Sequence, residues 1–191
     1  MSGASVFSRK SLRFPGLCRL DMLAFSPYAP KGSHMTRPSK PDEPFWKTKN
    51  MAEMSREEWE SLCDSCGKCC CIRLEDEDTG QVYITDVACM LFDPNTCRCG
   101  DYKNRSILVP DCVTLSPVNV SQLHWMPKTC AYRLIAEGKD LPDYHHLVSG
   151  SHDTIHEVGM SVQDAVTSEA LVGEEEIPTR IVIWPGEPDI D

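Results

Sequence analysis

Cys63-Asp64-Ser65-Cys66-Gly67-Lys68-Cys69-Cys70-Cys71 places five thiols within nine residues, and five more cysteines follow before position 131. A thiolate is a soft anionic ligand, and sulfurs held this close cannot all point apart. Unless they pair as disulfides, they are satisfied by a shared metal ion or cluster. Eleven cysteines is an odd number, and no apolar secretory core is seen in the first thirty residues. The neighbours Cys69, Cys70 and Cys71 are poor disulfide partners for one another. Metal is therefore expected over disulfides, in a reducing, cytoplasmic compartment.

Outward from this stretch, the flanks predict short elements. Ser55-Arg56-Glu57-Glu58 has the form of a capping box, so a short helix is expected to carry Trp59 and Leu62 and to deliver Cys63 at its end. Gly67 supplies a tight turn between cysteines. Beyond the cluster the period changes to two. Ile72-Arg73-Leu74 and Val82-Tyr83-Ile84 flank an acidic run and predict a β-hairpin whose tip is a solvated turn. Residues 89–112 are rich in turn formers and cysteine, and predict a loop region that metal cross-links would stabilise. Helices are predicted from Ser116-Pro117 to about Leu123, and from Cys130 to Glu137 with Thr129 as cap and Ala131, Leu134 and Ile135 as buried stripe. A strand is predicted at Arg180–Trp184. The fold class expected is α+β: a small single domain, loop-rich, with short helices and a β-hairpin, organised around a cysteine metal site.

The metal arithmetic exceeds one ion. C-x2-C-x2-C-C alone offers four ligands, enough for tetrahedral zinc, and Cys89, Cys97, Cys99, Cys112 and Cys130 remain. More than one metal ion, or a cluster with bridging sulfur, is implied. The bacterial ferredoxin run begins the same way, but its fourth cysteine would fall at Arg73, and no proline follows. Redox C-x-x-C chemistry lacks its βαβ context and ranks below metal. His145-His146 and the His152/His156 pair read as packing or surface histidines ahead of ligands. Arg105 and Arg133 are candidates to hydrogen-bond thiolates, with surface ion pairs as the equal alternative.

Several of these residues resemble a known family. Cys63-x-x-Cys66-Gly67-x-Cys69-Cys70 is similar to the CxxCxxCC signature of the YkgJ-type zinc- or iron-chelating proteins, and Cys89, Cys99, Tyr102, Arg105 and Cys112 resemble its downstream pattern. Phe45-Trp46, Trp59-Glu60-x-Leu62-Cys63-Asp64, Val87-Ala88-Cys89, Pro110-Asp111-Cys112 and Thr129-Cys130-Ala131-Tyr132-Arg133-Leu134 look like the YcgN branch. The resemblance implies ligands at Cys63, Cys66, Cys69, Cys70, Cys89, Cys99 and Cys112, with Cys97 and Cys130 as additions of the branch. It implies metal binding and little more about function. Cys71 is outside the pattern.

Composition narrows the classes further. The net charge of -10 argues against a nucleic-acid footprint, which needs a dense basic face. No apolar run is long enough to span a membrane. Residues 1–44 are expected to be a disordered extension, of which 1–34, ending in Gly32-Ser33-His34, are read as foreign to the native protein. Residues 45–185 form the metal-binding domain and 186–191 a tail. Two functions stay open: a zinc or iron protein with a structural or metal-handling role, and an iron–sulfur or non-haem iron enzyme or electron carrier. Metal ions are the partners expected, and protein partners are not indicated.

Overall fold

The computed structural model describes residues 43–187, so the expectations for 1–42 and 188–191 lie outside the described residues. The architecture is mixed α+β with short elements, as the sequence predicts. Helices α1 (Phe45–Thr48) and α2 (Arg56–Ser61) precede the cysteine stretch, and strands β1 (Cys71–Glu75) and β2 (Val82–Ala88) follow it as an antiparallel hairpin. The short strands β3 (Phe92–Asp93) and β4 (Arg98–Cys99) pair within the cysteine-rich loop, and α3 (Arg105–Leu108) is one turn. Then come α4 (Ala131–Ala136), α5 (His146–Ser149), α6 (Thr154–Glu157) and β5 (Thr167–Ser168), which runs parallel to β2. Among the described residues no helix is long and apolar enough to cross a membrane.

The capping box forms as read: Ser55 Oγ accepts from Glu58 N, and Glu58 reaches back to Ser55 N at 2.8 Å. The hairpin tip is a turn in which Asp76 Oδ1 accepts from Thr79 N and Thr79 Oγ1. Three other local expectations are corrected. The helix after Ser116-Pro117 is only a 3-10 turn, Val120–Gln122, because Ser116 and Asn119 bond each other's backbone and consume the start of the segment. Cys130, not Thr129, occupies the N-cap of α4, because the Thr129 hydroxyl is engaged by Lys68 and Glu187. Arg180–Trp184 is not a strand. It touches β2 by an isolated bridge, Thr85 to Ile181, and by Val182 N donating to Ile84 O.

Thr85 sits at an irregularity of the β1–β2 ladder. The β1–β2 register shifts between Cys71 and Arg73, and the fully buried Thr85 hydroxyl donates to Ile72 O at 2.9 Å across the gap. A buried carbonyl left unpaired there would carry a desolvation cost. Arg180 ties the edge down, meeting both Asp86 carboxylate oxygens and Thr167 Oγ1.

Two apolar clusters position the cysteine stretch. One contains Leu62, Leu123, Met126 and Tyr132, and Phe45 and Trp46 pack against it, so the aromatic pair does pin the N-terminal segment. Trp46 Nε1 adds a hydrogen bond to Asp140. The other cluster contains Cys71, Phe92, Val162 and Trp184.

Candidate metal centre

The cysteine stretch is shaped by backbone bonds that its own sequence dictates. Leu62 at the end of α2 is fully buried, and its carbonyl is 3.1 Å from Nε2 of the fully buried His145. Nδ1 of His145 accepts from Leu147 N, so the ring proton sits on Nε2 and is donated to Leu62. Asp64 Oδ1 then accepts from Cys66 N at 3.0 Å, a local side-chain turn that folds Cys63 and Cys66 around it. Gly67 has φ +78°, and a Cβ there would come within 2.5 Å of Phe92 Cζ and 2.6 Å of Val162 Cγ2. Only glycine satisfies both demands.

Lys68 and Arg73 hold the next turn, the 3-10 segment Lys68–Cys70. The Lys68 ammonium is fully buried; it donates to Thr129 Oγ1 (3.1 Å) and to Pro185 O, and faces Glu187 Oε1 at 3.7 Å. Glu187 also accepts from Lys128 N and Thr129 Oγ1, so residues 185–187 lock the cysteine turn to the segment preceding α4. Arg73 donates to the carbonyls of Lys68, Cys69 and Cys71 and lies over the Trp125 ring at 4.7 Å. Nothing in the sequence singled out Lys68 or Arg73, although both stand within or just after the cysteine run. Arg105 and Arg133 bond elsewhere: Arg105 donates to Tyr102 O, while Arg133 donates to Met126 O and pairs with Glu137, the ion pair that stood as the equal alternative.

A cavity of about 770 Å³ opens beside this turn. Cys63, Cys66, Cys69 and Cys70 line it from the stretch itself, Cys89 from the end of β2, Cys99 from β4, Cys112 from the loop after α3, and Cys130 from the cap of α4. Cys63 and Cys69 are exposed, Cys66 and Cys89 buried, the others half-buried. Cys71 also reaches this wall but packs into the second apolar cluster. Cys97 does not line the cavity; it is buried in that same cluster, with the charges of Asp93 and Asp164 nearby. Among the described residues no three His, Cys, Asp or Glu side chains already surround one coordination point. His124 and Trp125 sit on the cavity wall, whereas His145, His146 and His152 form a separate stack.

The thiols oppose one another's ionisation. Burial pushes Cys63 up to about 12, although the residue has exposed surface, and the charges of Cys69 and Asp64 add to the effect. Burial likewise pushes Cys66 and Cys130 well up, with Asp64 and Cys69 contributing to both. Cys69 is the exception, lowered to about 7 because the Cys70 thiol donates to it and Arg73 is near, and Cys70 is raised in exchange. Protonated, crowded sulfurs of this kind are what a thiophilic cation discharges, releasing protons as it binds. The donor set fits zinc or iron and offers little to a hard cation such as calcium.

Residues 62–131 match the family model described as "Putative zinc- or iron-chelating domain". A UPF0260 protein of Parvibaculum lavamentivorans is 55% identical over 144 residues, 75% of this chain and 94% of its own length. The chain belongs to the UPF0260 family. Other UPF0260 relatives agree: one from Mesorhizobium japonicum is 59% identical over 136 residues, 71% of this chain and 92% of its own. Another, from Rhodopseudomonas palustris, is 53% identical over 150 residues, 78% of this chain and 88% of its own. No solved structure matches this UPF0260 chain. The family-model match begins at Leu62 and ends at Ala131, bracketing all eight cavity cysteines nominated by the sequence.

Proposed function

We propose that the protein, a member of the YcgN-like branch, binds zinc or iron through clustered thiolates, more than one ion per chain, in a structural or metal-handling role. The observation that carries this reading is the convergence of cysteines from five separate parts of the chain on one cavity. Cys63, Cys66, Cys69, Cys70, Cys89, Cys99, Cys112 and Cys130 are its ligands. Cys97, grouped with them by sequence, is left out because it is buried away from that wall. Exposed Cys63 and Cys69 give a cation its entry, and a reducing cytoplasm keeps such thiols available.

A second reading, an iron–sulfur or non-haem iron enzyme or electron carrier, is favoured by the cavity itself. Its volume falls within the roughly 300–1,000 Å³ typical of small-molecule sites, and Trp59, Tyr102, Trp125 and Tyr132 give it aromatic walls. Anaerobic purification with elemental analysis tests both. Colourless protein carrying zinc supports the first reading, and a brown, iron-containing, visibly absorbing protein supports the second. Protein without stoichiometric metal under both zinc and iron supplementation refutes both. Cys63→Ser is expected to lose metal and cooperative unfolding together.

A further inference from the structure

The CxxCxxCC signature invites reading as one four-sulfur site, Cys63, Cys66, Cys69 and Cys70. The chain's hydrogen bonding divides those residues differently. Residues 63–67 fold around Asp64, whose carboxylate holds Cys66 N. Lys68 then reaches Thr129 Oγ1 at 3.1 Å, which ties the segment of the next residue, Cys130, to this turn on the cavity wall. Cys70 shares the Lys68–Cys70 turn and donates its N–H to Gly67 O, but its carbonyl leads to another part of the chain. Its carbonyl accepts from Cys89 N at 3.0 Å, Cys89 O accepts from Phe92 N at 2.8 Å, and Phe92 pairs with Cys99 across β3–β4. Backbone ladders therefore join Cys70, Cys89 and Cys99, while the buried lysine joins Cys130 to the loop of Cys63, Cys66 and Cys69.

Resting on the thiolate-metal reading above, we propose that the cavity holds two adjoining thiolate sites: Cys63, Cys66, Cys69 and Cys130 for one soft divalent cation, and Cys70, Cys89, Cys99 and Cys112 for a second. The signature is thus split between two metals after Cys69. Four sulfurs each is the donor number a tetrahedral zinc-like ion takes.

The two sites meet at the adjacent residues Cys69 and Cys70, both on the cavity wall. Cys112 completes the second set because it lines the same cavity and the first already has four donors.

Cadmium replaces zinc at thiolate sites and reports each one by NMR. The full chain, reduced and loaded with cadmium, is expected to bind about two ions and to give two resonances. Cys130→Ser should shift or remove one resonance and leave the other, and serine is a favourable N-cap, so α4 is retained. Cys99→Ser should act on the other resonance, and Cys70→Ser should act with Cys99→Ser. Circular dichroism of each variant checks that the fold is kept. The assignment is overturned if Cys70→Ser and Cys130→Ser act on the same resonance, if every variant perturbs both equally, or if one ion saturates the wild type. A wild type that takes up no metal at all overturns the metal-binding reading itself.

Discussion

Replacing Glu187 by alanine would strand a cation inside the protein. Lys68 has no exposed surface and the Glu187 side chain is 7% exposed, with 3.7 Å between Nζ and Oε1. Removing one partner of a buried ion pair costs about 3–5 kcal/mol, because the other charge is left uncompensated. Lys68 would retain Thr129 Oγ1 and Pro185 O as acceptors, so the lower end, about 3 kcal/mol, is expected. That is a large part of the roughly 5–15 kcal/mol stabilising an ordinary domain. Urea unfolding at fixed, saturating zinc measures it without a change in metal linkage. Lys68→Met tests the cause, since it removes the cation and leaves a side chain of similar length in its place. The double variant should be less destabilised than the sum of the singles by about 1–3 kcal/mol. Strict additivity, or a loss below about 0.5 kcal/mol for Glu187→Ala, would refute a buried pair that locks the cysteine turn. High salt should leave the effect nearly unchanged, because a pair without solvent around it is poorly screened.

Gly67→Ala should lower stability by at least about 1–3 kcal/mol, since it meets both a left-handed backbone and Phe92 at 2.5 Å, and calorimetry with metal analysis would show melting point and metal content falling together. His146 is held down to about 4 by burial and by neighbouring His145 and His152. The unfolded chain therefore takes up a proton near pH 6.5 that the folded chain refuses until about pH 4, so stability should fall between these values as pH drops, and His146→Gln should flatten that slope in urea melts. Because burial raises Cys63, Cys66 and Cys130, metal binding must expel protons, and zinc affinity from competition titrations should rise steadily from about pH 6 to 8. Thr85→Val should cost about 1–3 kcal/mol by leaving Ile72 O unpaired at the strand irregularity, measured by the same urea melts.

Local chemistry was legible in the sequence wherever one short segment contains its whole cause. The Ser55/Glu58 box and the hairpin around the acidic turn depend on neighbours a few residues away or on a simple alternation, whereas Gly67 and Phe45-Trp46 stood out by residue type and owe their packing to distant segments. The cysteine spacing likewise announced a thiol site. The segment after Ser116 misled because local side-chain bonds between Ser116 and Asn119 outcompeted the helix start, and the segment at Arg180 because its partner, β2, is distant in the chain and meets it by an isolated bridge. Lys68 and His145 could not be ranked from the sequence, since their importance arises from Thr129, Pro185 and the Leu62 carbonyl, which only folding brings to them.

Sequence alone therefore determined the chemistry available: soft sulfur donors, the turns that separate them, and an α+β frame of short elements. Tertiary structure decided which sulfurs share a wall, why Cys97 stands apart, and how Lys68, Glu187 and Thr129 fasten the turn. The physical reason is range. Spacing fixes what covalent neighbours can do, whereas burial, pairing of a lone ammonium and the meeting of Cys70 with Cys89 or of Lys68 with Thr129 depend on chain segments that approach only when the core closes.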